Sequence, residues 1–437
     1  MLAQLGLLEE IQFQRSPIAL ITGGKIQPIH CFADVEAYFQ LLVELFPAEQ
    51  AGLKRVLRDT KTGFERLDGM LSFPIPFFDL PDSGNEARSS WFKNNRAVLS
   101  HLPGATALMR RELRPYLQQH LSHPGLINLL SDLFPDGTSA FFGLGYFRMF
   151  LDYHYPHGGI QTIPQVLAAS VSEWGSEIRL NTRVQRMLLL GRQACGVRLA
   201  NGEEIYAGYV IAANDLRQTL IGLLPGTKLP SRFLSNLKRA EVSYSVFNVF
   251  LGIDLPVEKL NLQGFQHVFY SPDLDGISEI DRITCPDYFA RVPQEISIPC
   301  MHQPDRAPPG KTGLIISAMA SWQFNGGWER NPIDYAKLKE RCAHELIGSL
   351  EKVIPHLSDK IKLCVTATPR TIATLTSNSM GAIMGWSYHR QRTLRRGNFL
   401  QMRSSVLTPV PRLLTAGHWS FSPGGSPVAV LTGKLAA

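Results

Sequence analysis

The 437-residue sequence predicts an α/β protein of two or three domains, and three observations carry that reading. A helical pattern over residues 162–174 feeds a series of short strands at close intervals, ending in an apolar strand at 209–213. The carboxyl end reads as strand, glycine turn and helix. Hydrophobic residues make up 44% against 19% charged, enough apolar surface for a sizeable core.

The elements follow in order. Strand-like Ile18–Thr22 and Lys25–Ile29 flank Gly23-Gly24, which predicts a hairpin. Asp34 is then placed to cap a helix carrying Val35, Tyr38, Phe39, Leu42 and Leu45 on one face and stopped by Pro47. The pattern stays mostly helical to about Gly143, interrupted by Pro74, Pro76, Pro81 and Pro103, with a breaker-rich loop between Phe77 and Arg88. Residues 141–155 are dense in aromatic side chains, which suit either core packing or the lining of an apolar channel. Thr162-Ile163-Pro164-Gln165 has the spacing of a capping box for a helix that Gly175 ends. Strands are expected at 177–180, 184–190, 194–199, 203–206 and 209–213, with Asn201-Gly202 as a two-residue hairpin turn. Residues 226–330 read as mixed and strand-rich. Asn331-Pro332 opens a long helix ending near Pro355. The last strand, 412–416, leads through Gly417-His418-Trp419 and Pro423-Gly424-Gly425 to a helix with Ser426 as cap and Pro427 in its first turn.

Composition removes several function classes. No stretch approaches the roughly 18 uncharged apolar residues that a membrane-spanning helix needs. The net charge of +7 suits either ordinary solubility or attraction to an anionic membrane surface. Nucleic acid is disfavoured: basic residues are scattered, and the densest cluster, Arg390 to Arg396, holds four Arg. The six cysteines contain no Cys-x-x-Cys pair, which speaks against zinc and against a disulfide framework and favours a reducing, cytoplasmic setting. Gly310-Lys311-Thr312 ends like a P-loop, but its first glycine position holds Asp305. Gly143-Leu144-Gly145 lacks a third glycine, and there is no Gly-x-Ser-x-Gly elbow. No metal ligands are assigned.

The strongest local chemistry lies at the carboxyl end. A glycine turn entering a helix presents backbone N–H groups and a positive dipole end, a setting for phosphate or other electron-rich oxygens. Gly424 and Gly425 leave room there for close backbone approach.

Several landmarks together resemble the phytoene desaturase, carotenoid isomerase and retinol saturase family of the FAD-dependent amine oxidase superfamily. These are Leu5-Gly6-Leu7 with Glu9-Glu10-Ile11, Tyr155-Pro156 with Gly158-Gly159, and Asn181-Thr182 with Val184, Gly196-Val197 and Asn201-Gly202. Further on come Met380-Gly381-Ala382 with Gly385-Trp386, then Ala416-Gly417-His418-Trp419, Gly424-Gly425 and Thr432-Gly433-Lys434. Their order and spacing, running through most of the chain, carry the resemblance.

The resemblance implies a glutathione-reductase-like FAD-binding domain built from discontinuous segments, with a mixed sheet-plus-helix substrate domain. Residues 1–30, 150–225 and 405–437 would be the FAD segments, and 31–149 with 226–404 the substrate domain. Val184 would meet adenine through its main chain. Gly417, Gly424 and Gly425 would surround the pyrophosphate, ribityl chain and flavin, with His418 and Pro427 beside them. The implied chemistry is desaturation, saturation or isomerisation of a long apolar polyene or isoprenoid, with peripheral membrane association as an accompaniment. No side chain stands out as a catalytic acid or base. The family's opening strand, Gly-x-Gly-x-x-Gly turn and helix are not found in these residues, so the first βαβ segment is expected to be absent. His418 stands where many superfamily members carry an acidic residue. The alternative expectation is a truncated, flavin-free fragment that binds a lipid or a partner without catalysis.

Overall fold

The computed structural model describes residues 2–71, 85–94, 96, 108–224, 226–262, 264–277, 282–389, 392–394 and 402–437. Two compact units emerge, each assembled from separated stretches of chain. Met1–Gln12, Gly158–Ser245 and Pro369–Ala437 form the first, and Phe13–His157 with Val246–Thr368 form the second. The segment limits expected from the sequence, at 30, 149, 225 and 404, differ from these by up to 36 residues.

The second unit is centred on a seven-stranded sheet. Its strands are β2 (Ile18–Thr22), β3 (Lys25–Ile29), β9 (Ser245–Ile253), β10 (His267–Ser271), β11 (Gln294–Ser297), β12 (Thr312–Ala320) and β13 (Ile361–Ala367), in the spatial order β13-β9-β12-β11-β10-β2-β3. The β2–β3 hairpin forms as its Gly23-Gly24 turn requires, both glycines at positive φ. β2 and β10 run parallel, Ile18 opposite His267, whereas β10–β11, β11–β12 and β9–β13 are antiparallel. A separate two-stranded ribbon pairs β1 (Phe13–Arg15) with β4 (His154–Pro156).

Strict alternation along β9 and β12 sends one set of side chains into the core. Phe247, Val249, Leu251 and Ile253 pack with Leu314, Ile316 and Ala318, and with one face of a long helix, Pro332–Leu350. The opposite face is covered over β2 and β10 by helices α1 (Phe32–Leu45), α2 (Gln50–Leu71), α4 (Leu113–Gln118), α5 (Pro124–Ser131) and α6 (Ala140–Leu151), which share a second core. Between α2 and α4 lies α3 (Asn85–Asn94). α1 begins after Cys31. Asp34 is its third residue rather than its cap, and the Asp34 carboxylate reaches back to the N–H groups of His30 and Cys31. The loop expected between Phe77 and Arg88 lies mostly outside the described residues, and its end, from Asn85, is helical. Of the aromatic run, Phe141, Phe147 and Phe150 are buried in packing, whereas Phe142 is exposed.

In the first unit α7 (Thr162–Glu173) leads into a three-stranded meander of β5 (Val184–Leu190), β6 (Gln193–Leu199) and β7 (Glu204–Tyr206). β8 (Val210–Ala212) then runs parallel to the last strand, β14 (Leu413–Thr415). α8 (Ser231–Arg239) packs Leu237 into a core with Met187, Leu216, Trp386 and Trp419. With the long helix Pro332–Leu350 counted as α9, α10 (Pro369–Thr376) and α11 (Ser426–Ala436) complete the helices used below.

Three expectations are corrected in this unit. Residues 177–180 are not a strand: no described strand pairs with them, and Ile178 and Leu180 are exposed. The Thr162 capping box does not form, because the Thr162 N–H already bonds the Gly159 carbonyl and the turn begins a residue early, at Gln161. At the carboxyl helix the cap is Gly425, with Ser426 already helical.

Candidate functional site

The carboxyl turn of the first unit is built by close backbone packing. From β14 the chain enters Gly417 at φ 85°. The Gly417 N–H donates to the hydroxyl of Thr432, 3.0 Å away, and that hydroxyl donates to the Val428 carbonyl. One fully buried threonine on α11 thus holds the strand-to-helix turn in shape. Opposite, residues 382–389 lie against 417–424. A Cβ on Gly385 would sit 2.5 Å from the His418 carbonyl oxygen, and one on Gly424 would overlap the Met384 carbonyl. Both glycines therefore serve the approach of this chain to itself. Trp386 donates to the Trp419 carbonyl at 2.8 Å and meets that ring edge-on, and Trp419 donates to Asn378. Asp215, buried at the end of β8, accepts the N–H groups of Arg217 and Ser379, both at 2.7 Å. Arg217 stacks over Trp386, and burial holds its guanidinium below the ordinary value.

Of the residues expected at a cofactor, Gly417, His418, Gly424, Gly425 and Pro427 share this one turn. Val184 does not join them there. It is half-buried at the start of β5, opposite Leu199. The meander is tied to the approach to β14 by the Ala194 N–H on the Pro411 carbonyl. Two features of the turn suit an anionic, hydrogen-bonding group such as FAD. α11 starts at Gly425 with no side chain capping it, Pro427 fixing its first turn. His418 Nε2 is shielded from solvent and has no hydrogen-bond partner among the described residues, and burial holds the imidazole below its ordinary value while the Asp215 carboxylate opposes that shift.

The second unit offers a different surface. Among the described residues no second helical core lies over the sheet away from β2 and β10, and the side chains there are partly exposed. On β9 and β13, Phe250 stands opposite Val365 and Gly252 opposite Leu363, and these three large apolar side chains are exposed. On β12 the same face carries Ile315 and Met319, half-buried. An apolar sheet face of this kind accepts a long hydrocarbon by area alone.

Polar side chains interrupt it at Asn248, Ser317 and Glu295. Glu295 of β11 and His267 of β10 meet, Nε2 to carboxylate at 2.9 Å, and Ser297 holds the other ring nitrogen at 3.0 Å. His267 is buried and stacks on Tyr153, with Phe269 edge-on and Phe150 and Tyr146 continuing the ring series. The Tyr153 phenol is pushed up to about 12, first by burial and then by the Glu295 carboxylate, so it stays neutral. Sequence reasoning missed these residues. The signal available was parity: His267 and Phe269 on one strand and Glu295 and Ser297 on another each occupy alternate positions. Nothing local told which strands would pair.

No protein-family model matches the chain. Over 225 residues it is 31% identical to the chloroplastic prolycopene isomerase of Daucus carota, a match covering 50% of this chain and 34% of that one. It is 26% identical over 265 residues to the phytoene desaturase of Neurospora crassa, covering 58% and 43%. Against a 4,4'-diapolycopene oxygenase of Methylomonas sp it is 26% identical over 340 residues, covering 74% and 64%. The match thus spans less than half the length of the first two relatives. Among solved structures, an oxidoreductase from Methanosarcina mazei matches at TM-score 0.55 and 13% identity, covering 99% of this chain and 84% of that one. A putrescine oxidase bound to putrescine matches at 0.53 and 12%, with the same coverage. At these identities the two structures establish likeness of fold.

Proposed function

The chain is a homologue of the prolycopene isomerases and phytoene desaturases, and from that kinship we propose that it serves a flavin-dependent oxidoreductase or isomerase acting on a long apolar polyene. The observation that carries the reading is the 31% identity to a prolycopene isomerase across half the chain. The half-exposed apolar sheet face around Phe250, Leu363 and Val365 supports it, because a hydrocarbon needs area rather than hydrogen bonds. FAD would be held at the carboxyl turn, with phosphate oxygens toward the α11 start, Gly417, Gly424, Gly425 and Pro427 shaping the turn, and Val184 on the adenine side. When bound, FAD would supply the hydride or electron exchange with the polyene. The protein's own part is to exclude water and orient the chain. His418 would offer Nε2 as a hydrogen-bond partner to the cofactor.

We further propose peripheral membrane association, since such substrates reside in bilayers and the chain carries a net charge of +7. No described helix is long and apolar enough to cross a membrane. Exposed Trp174 and Leu180 offer apolar contact at a membrane surface. Flotation with anionic vesicles at low salt, weakened at high salt, is expected; sedimentation free of vesicles at low salt would remove the idea.

The catalytic reading is tested by supplying the protein with vesicles containing a cis-configured C40 polyene and with oxidised or reduced FAD. Chromatography is expected to show a flavin-dependent isomerised or desaturated product. A polyene recovered unchanged from both conditions, with flavin demonstrably bound, would contradict it.

A further inference from the structure

Of the polar side chains on the largely apolar sheet face, Glu295 is backed by a buried imidazole. Resting on the reading of that face as a polyene surface, we propose that Glu295 is a recognition point for a hydroxyl on an otherwise hydrocarbon ligand, with His267 as its positioning residue. Four observations carry this. Glu295 sits on the same face as Ser317, directly opposite it on β12, and its neighbours on that strand's face are Ile315 and Met319. Its side chain keeps 49% of its surface open, whereas His267, at 7%, is closed off. The ring is fixed from both ends: Nε2 lies 2.9 Å from the Glu295 carboxylate, Nδ1 lies 3.0 Å from the Ser297 hydroxyl, and Tyr153 stacks over the plane. Finally, β10 and β11 are adjacent strands paired His267 to Ser297 and Phe269 to Glu295, so the geometry is set by backbone register and not by a loop.

The chemistry selects the ligand group. A carboxylate with one oxygen engaged by His267 retains acceptor capacity and has no proton to give, so it recognises a donor. Neighbouring Tyr146 and Tyr153 are neutral phenols, and Ile315 and Met319 flank Ser317 on the facing strand; a hydroxyl is satisfied there at lower desolvation cost than a charged amine. A hydrogen bond to a charged acceptor of this kind is worth roughly ten- to a hundred-fold in affinity.

The test uses two probes with one carbon skeleton, retinol and deoxyretinol, titrated into the purified protein by fluorescence. Wild type is expected to bind retinol about ten-fold or more tightly than deoxyretinol. Glu295→Leu is expected to erase that preference by weakening retinol alone, and His267→Phe to reduce it. Glu295→Gln, which keeps an acceptor and the shape, is expected to retain part of it, and serves as the check that the fold survives. Equal binding of the two probes by wild type, or a preference unchanged in Glu295→Leu, would overturn the proposal while leaving the polyene face intact. If neither probe binds, the reading of the face fails and the recognition site fails with it.

Discussion

Replacing Thr432 by Val tests the carboxyl turn with almost no change of shape. The Thr432 side chain is fully buried, and its hydroxyl is the acceptor for the Gly417 N–H at 3.0 Å. Val fills the same volume but leaves that N–H without a partner and the Val428 carbonyl without its side-chain donor. Leaving a buried donor unmade costs about 1–3 kcal/mol. The unit that contains it has roughly 170 residues, for which each kcal/mol moves the midpoint by about 2–4 °C. A fall of roughly 2–12 °C is therefore expected for Thr432→Val by differential scanning calorimetry. Thr432→Ser, which keeps the hydroxyl and loses a methyl, should fall less. FAD titration of both variants should follow the same order, because Gly417 lies in the turn proposed to hold the cofactor. A Thr432→Val protein melting with wild type, or less affected than Thr432→Ser, would refute the reasoning.

Two further outcomes are expected. In the second unit Asp132 takes Arg114 at 2.5 Å and Arg282 at 2.6 Å, all largely buried, and burial pushes the Asp132 carboxyl up despite both cations; Arg282→Met should cost about 3–5 kcal/mol in urea unfolding, and a loss below about 1 kcal/mol would show the network idle. The His418 imidazole is held below its ordinary value, so the unfolded chain binds the proton more readily; stability from this group is complete above the unfolded pKa near 6.5 and declines as pH falls below it. Wild type should therefore lose more stability than His418→Gln between about pH 7.5 and pH 5.5, and parallel curves for the two would contradict this.

What could be read from the sequence followed from local chemistry. The β2–β3 hairpin was legible because Gly-Gly separates two β-branched runs, and α9 because Asn331 and Pro332 form a start signal that the structure uses, Asn331 accepting the Asp334 N–H. The β5–β6–β7 meander was legible from its turns. Residues 177–180 misled because apolar alternation marks a segment able to pair, whereas pairing needs a neighbouring strand. The cap positions at Gln161 and Gly425 each shifted one residue, since the preceding glycine turns deliver the chain already curled or still extended in ways composition does not encode. The carboxyl turn was legible as a cluster of glycines, but not that Gly424 would accommodate the Met384 carbonyl of the same chain. The His267–Glu295–Ser297 group was illegible for a topological reason. Its members meet only because β10 and β11 pair in one register, across an intervening stretch of 27 residues between His267 and Glu295.

The central claim is that a long hydrocarbon polyene lies on the open sheet face of the second unit. The most direct measurement is the Kd of an all-hydrocarbon C40 polyene, delivered in neutral vesicles, for wild type and for Phe250→Asp. Phe250 is 38% exposed and opposite Val365, so a charge there should leave the fold intact while spoiling the surface. Loss of one aromatic contact in exchange for a charge should weaken binding roughly ten- to a hundred-fold. Equal affinities for the two proteins, with wild type binding tightly, would place the polyene elsewhere and contradict the account.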